Sequence, residues 1–183
     1  MMTQTFSFPL FVYGTLKQGG QYHEEFCRQS LEEGYLDIKP ATTRGRLYEL
    51  PEGYPAFEIP EEWVGLLPLG SSNIQADAQL ASTQALTSLS LSSIEAQSLE
   101  LDHVRGELFI YTDLSAAQRD IKALDKMEGF FLDNLAGSLY HRVLVKVESH
   151  LGSQACQLSQ WAWIYHYNRP HQGKRLKPAI WEV

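Results

Sequence analysis

The chain has 183 residues, 44% hydrophobic and 20% charged, a size and balance that suit one compact globular domain over residues 1–183. Its formal net charge of −7 argues against sequence-independent binding to nucleic acid, which needs a concentrated Lys/Arg face to neutralise phosphates, and the one basic cluster, 169–177, reads as a solvated tail. No basic region followed by a sustained apolar segment opens the chain and no run is long enough to span a bilayer, so no membrane partner and a cytoplasmic location are expected.

Residues 6–13 are rich in aromatic and branched side chains and stop at Gly14, which predicts a strand entering a tight turn. Residues 22–33 place His23, Phe26, Cys27, Ser30 and Leu31 at helical spacing ahead of Gly34, a natural helix stop. Short strands are predicted at 35–38 and 45–50. Residues 68–101 consist mostly of Ser, Gln, Ala, Leu and Thr. That composition predicts an insertion that buries little, a mobile arm or weak peripheral helix without chemistry of its own. A strand at 105–111, a helix at 113–128 and strands at 140–148 and 160–167 follow, the first of that last pair alternating through Val143, Val145 and Val147. About six strands and two principal helices, without regular βαβ alternation, predict an α+β fold: a small mixed or antiparallel β-barrel with helices packed outside.

Three places carry candidate chemistry. In the 113–128 helix, Ala117, Ile121, Leu124 and Glu128 fall on one face, so the apolar stripe ends in a carboxylate. Buried there, Glu128 would hold its proton more tightly and suit proton transfer near neutral pH; at a frayed helix end it would instead turn outward to a lysine or arginine. The turn of Tyr13, Gly14, Thr15 and Leu16 lets backbone N–H groups approach an anion of carboxylate size, or simply reverses the chain; it lacks the glycine spacing of phosphate and dinucleotide loops. Tyr140 and Arg142 open one strand and Tyr165 and Asn168 close another, gathering phenol and amide groups at the strand ends. The only two cysteines, Cys27 in a predicted helix and Cys156 in a polar loop, form no disulfide framework or zinc site. The histidines show no ligand spacing, so neither metal nor covalent catalysis is expected.

Taken together, these residues resemble the gamma-glutamylcyclotransferase-like family, nearer its gamma-glutamylamine type. The string Tyr13-Gly-Thr-Leu-Lys-Gln-Gly-Gly-Gln-Tyr-His23 is similar to the family's opening motif. Gly45-Arg-Leu-Tyr-Glu-Leu50, Gly53-Tyr-Pro-Ala56, Val104-Arg-Gly-Glu-Leu108, Leu124-Asp-Lys-Met-Glu-Gly129, Tyr140-His-Arg142 and Ala162-Trp-Ile-Tyr165 follow in the family's order. The resemblance implies a small β-barrel whose cavity holds a gamma-glutamyl group, with Glu128 as general acid and base, 5-oxoproline as product and no cofactor. It also implies that Tyr13, Gly14, Thr15 and Leu16 line the pocket and that Tyr140 and Tyr165 close it. Lys17 and Arg142 are further candidates, for a carboxylate on the substrate. The link 130–139 is longer than the family's common one, so the resemblance alone does not place Tyr140.

The expected protein is therefore an enzyme that releases 5-oxoproline from a gamma-glutamyl amine or peptide. Two alternatives are a non-catalytic binding module for a gamma-glutamyl-like metabolite and an interaction protein that docks through the insertion.

Overall fold

A computed structural model describes residues 6–83, 101–151 and 156–183. Among them are seven strands and three α-helices. The strands are β1 (Phe8–Val12), β2 (Leu36–Glu49), β3 (Pro55–Glu58), β4 (Asp102–Tyr111), β5 (Tyr140–Leu151), β6 (Cys156–Tyr167) and β7 (Lys174–Arg175), and the helices are α1 (His23–Glu32), α2 (Ile74–Ser82) and α3 (Leu114–Met127).

Five strands close a ring. β2 pairs antiparallel with β4, β4 with β1, β6 with β5 and β5 with β2, while β1 lies parallel to β6. One parallel pair makes the barrel mixed, as predicted. The single 14-residue strand β2 replaces the two short strands expected at 35–38 and 45–50. Pro40, which reads as a break, is tolerated because β5 joins β2 only from Ala41, so Pro40 has β4 as its one paired neighbour. The far end of β2 then carries β3 and β7. Cys156 opens β6 instead of lying in a loop.

Alternation sorts the strand residues into two cores. Phe11 of β1, Leu108 of β4, Val143, Val145 and Val147 of β5 and Ile164 of β6 fill the barrel. Phe8, Leu10, Leu144 and Trp163 face the other way, onto Cys27 of α1 and Ala117, Ile121 and Leu124 of α3. Both faces of β1 are therefore covered, which is why it reads as a continuous apolar run.

The first part of the predicted insertion departs from expectation. Ile74, Ala78 and Ala81 of α2 are buried in the helix-side core. Asp77 of the same helix accepts from Arg142 Nη1 at 2.8 Å and from the Ser71 N–H and hydroxyl at 2.9 and 2.7 Å. Small Ala residues at helical spacing let α2 lie close on the sheet, so a composition that looks unable to bury surface does so through backbone approach. The rest of the insertion, 84–100, lies outside the described residues.

Arg142 is fully buried. Besides Asp77, it donates from Nε and Nη2 to the two oxygens of Asp125 on α3, at 3.0 and 3.3 Å, and from Nη2 to the Ser71 carbonyl at 2.7 Å. Gly70 leaves room for it, since a Cβ there would lie 2.7 Å from the guanidinium carbon. One cation thus ties β5 to α2 and α3. Arg142→Met should lower the unfolding free energy by about 3–5 kcal/mol in urea titration, because it strands the buried carboxylate of Asp77 and the half-buried one of Asp125. Arg28→Met, in an exposed helical pair with Glu32 at 3.8 Å, should change stability negligibly.

Candidate active site

The cavity lies where the turn after β1, the start of β3, the end of α3 and the tyrosines of β5 and β6 meet. It measures about 190 Å³, and its lining includes Tyr13, Gly14, Thr15, Leu16, Glu128, Tyr140 and Tyr165. Every residue placed in the pocket by the family resemblance therefore falls on one cavity. Tyr22, Tyr54, Pro55, Met127 and Leu139 also line it.

The turn is held from behind. Tyr22 N–H donates to Thr15 O at 3.1 Å, and His23 Nδ1 lies 2.9 Å from Leu16 O, an acceptor that fixes the ring proton on Nδ1. Gly20 permits this folding back, since a Cβ there would fall 2.2 Å from Thr15 O. Gly14 packs against Pro55, whose Cγ would lie 2.6 Å from an added Cβ. No described residue accepts from the N–H of Gly14, Thr15 or Leu16. Three donors in sequence are thereby left for a guest's oxygen atoms.

The tyrosine hydroxyls go into the wall. Tyr13 OH donates to Tyr165 O at 2.8 Å, Tyr140 OH to Pro55 O at 2.7 Å and Tyr165 OH to Asp125 Oδ1 at 2.7 Å. Burial pushes all three phenols up, so they stay neutral.

Glu128 caps α3. Phe130 N–H donates to Asp125 O at 2.8 Å and Gly129 N–H to Lys126 O at 3.2 Å, with Gly129 at φ +65°. These bonds form a Schellman closure that fixes the backbone of Glu128. The helix does not fray, and among the described residues the Glu128 carboxyl has no hydrogen-bond or ion-pair partner. It is half-buried and is part of the cavity lining. Burial, and secondarily the nearby Asp125 charge, push it from the usual 4.5 up to about 8.

Lys17 and Arg142 do not join the cavity lining. Lys17 Nζ donates to Trp181 O, and Arg142 is spent on Asp77 and Asp125 beneath the wall. An arginine opening a strand looks like a substrate contact, and Arg142 does share a face of β5 with Tyr140, but it lies further along the strand, where Asp77 of α2 and Asp125 of α3 take its donors. Asn168 instead pins the 130–139 link, donating from N–H to Leu139 O at 2.9 Å. The link closes on itself, because Leu139 N–H donates to Gly129 O at 3.0 Å. Its ends therefore stand side by side, and Tyr140 follows directly into the cavity wall. Sequence reasoning missed Asp125, Tyr54 and Pro55 as parts of the site, although all three lie inside quoted motifs. Among the described residues no group of three or more His, Cys, Asp or Glu gathers as a metal site.

A family model described as gamma-glutamyl cyclotransferase, AIG2-like, matches residues 10–66 and 75–182. Among solved structures, an AIG2-like protein from Mus musculus is similar with a TM-score of 0.48 and 15% identity, covering 90% of this chain and 80% of that one. An uncharacterized protein from Pyrococcus horikoshii has a TM-score of 0.45 and 12% identity, over 94% and 88% respectively. No curated protein matches.

A carboxyl that ionises at about 4.5 when unfolded and about 8 when folded makes the folded state bind more protons between those values. Its favourable contribution is complete below the lower value and is lost as pH rises through the upper one. Glu128→Gln should remove that decline, leaving the variant more stable than wild type at pH 8 by roughly 2–5 kcal/mol, measured as denaturant midpoints against pH.

Proposed function

Because the chain belongs to the gamma-glutamyl cyclotransferase, AIG2-like family, we propose that it releases 5-oxoproline from a gamma-glutamyl amine or gamma-glutamyl peptide, with Glu128 moving the proton. The observation that carries the reading is Glu128: a residue of the cavity lining whose carboxyl is partnerless among the described residues and pushed up to about 8.

In such a substrate the α-amine attacks the carbonyl carbon of its own side-chain amide. A new N–C bond closes a five-membered ring and the C–N bond to the leaving amine breaks. Nucleophile and electrophile are already joined, so neither a protein nucleophile nor water enters the balance. What the protein supplies is a folded-back conformer and a proton path. An α-ammonium loses its proton at about 7.7–8.0, close to the value for Glu128, so the transfer between them costs little in either direction. Glu128 returns that proton to the departing nitrogen, and the second proton, shed by the attacking nitrogen as it becomes the ring amide, reaches the released amine through the same carboxyl. The N–H groups of Gly14, Thr15 and Leu16 receive the substrate's negatively charged oxygens, while Tyr13, Tyr140 and Tyr165 shape the wall. We also place the enzyme in the cytoplasm, a compartment that suits the buried thiol of Cys27.

Incubation with a panel of gamma-glutamyl amines, gamma-glutamyl amino acids and glutathione should give 5-oxoproline from at least one member. Glu128→Gln should lower kcat for that member by about a hundred- to ten-thousand-fold with KM changed only a few-fold. Saturable binding of a panel member without any release would instead make the cavity a binding site only.

A further inference from the structure

Glu128 is not the only carboxyl at the end of α3. Asp125 stands three residues earlier, on neighbouring ground of the helix surface. It is oriented by Arg142 Nε at 3.0 Å, Arg142 Nη2 at 3.3 Å and the Tyr165 hydroxyl at 2.7 Å. This is more orientation than the core requires, because Arg142 already has a charged partner in Asp77 at 2.8 Å. With Asp125 included, one buried guanidinium faces two carboxyls.

The other groups around Glu128 add no ionised charge. Tyr13 comes from the turn after β1, Tyr140 from β5 and Tyr165 from β6, all held neutral. From α2, Asp77 faces Arg142, and from β5, Arg142 faces Asp125 and Asp77. Burial pushes the Asp125 carboxyl up, while Arg142 and Tyr165 pull it back toward the ionised form. Asp125 is thus the neighbour that can set how firmly Glu128 keeps its proton.

We infer that Asp125 is a positioning residue for proton transfer: clamped by Arg142 and Tyr165, it holds a negative charge behind Glu128, so that Glu128 keeps its proton until a substrate nitrogen competes for it. The inference rests on the proposed reaction for the destination of that proton. It gives the Arg142 cluster a chemical task beyond joining helices, since the same guanidinium that anchors α3 keeps Asp125 in register with Glu128 and with the Tyr165 wall.

The test reads Glu128 directly. With glutamate labelled at the side-chain carboxyl carbon and the Glu128 signal identified by its loss in Glu128→Gln, its titration is followed by NMR in wild type and Asp125→Asn. The Asp125→Asn substitution leaves Arg142 paired one-to-one with Asp77, and Asp125→Ser serves as the smaller replacement should the amide disturb folding. Removing a like charge should lower the Glu128 midpoint by about one pH unit and shift the ascending limb of the pH–rate profile downward by the same amount. Asp77→Asn, which removes the carboxylate that does not face Glu128, should leave the midpoint near its wild-type value. An unmoved midpoint in Asp125→Asn and Asp125→Ser, or an equal shift in Asp77→Asn, overturns the inference whatever the protein turns over. A midpoint that falls as expected in a protein releasing no 5-oxoproline upholds the control of Glu128 by Asp125 and sinks the assigned reaction.

Discussion

The buried guanidinium of Arg142 is the constraint around which the rest is arranged. A cation removed from water is tolerated only where its donors are met, and meeting them draws α2, α3 and the Ser71 carbonyl onto β5. Phe8, Phe130 and Trp163 pack around it, their ring centres 5.8, 5.7 and 5.4 Å from its carbon. The position of α3 follows from this, and with it the place where the helix ends. A cavity carboxyl needs a fixed origin, and the origin of Glu128 is a helix whose last turn is bolted to the sheet.

Around that origin the polar groups divide into two kinds. The phenols of Tyr13, Tyr140 and Tyr165 each have an acceptor inside the wall, so they rigidify the cavity. The N–H groups of the Gly14 turn and the carboxyl of Glu128 have none among the described residues. Unmet polar groups are costly unless something occupies them, and their concentration in one small space separates a site from a well-packed gap.

Much of this was legible in the sequence, for physical reasons that can be named. The period-2 run at Val143, Val145 and Val147 and the period-3.6 stripe of α3 report burial directly, and the glycine turn is visible because only glycine tolerates the close approaches at Gly14 and Gly20. The failures concern long-range facts. Whether Arg142 meets substrate or core depends on what covers its stretch of β5, and the cover comes from two helices remote in sequence, which bring Asp77 and Asp125 to it. Pro40 looks like a break until the neighbours of β2 are known. α2 hides behind a low-complexity composition because alanine packs through its smallness, which hydrophobicity alone does not register.

The link between Gly129 and Leu139 has a consequence beyond geometry. Its two ends are joined by the Leu139 N–H bond to Gly129 O, and within it the Ser138 hydroxyl accepts from Phe131 N–H at 2.9 Å. Phe131 and Leu132 of this ring are exposed to solvent over somewhat less than half of their surface. A segment closed at its neck transmits little of its own length to what it connects. Residues added to or removed from the middle of this ring should therefore disturb neither the cavity carboxyl on one side nor Tyr140 on the other. For the same reason, it is the natural place to graft a fluorophore or an affinity handle when the cavity must be watched undisturbed.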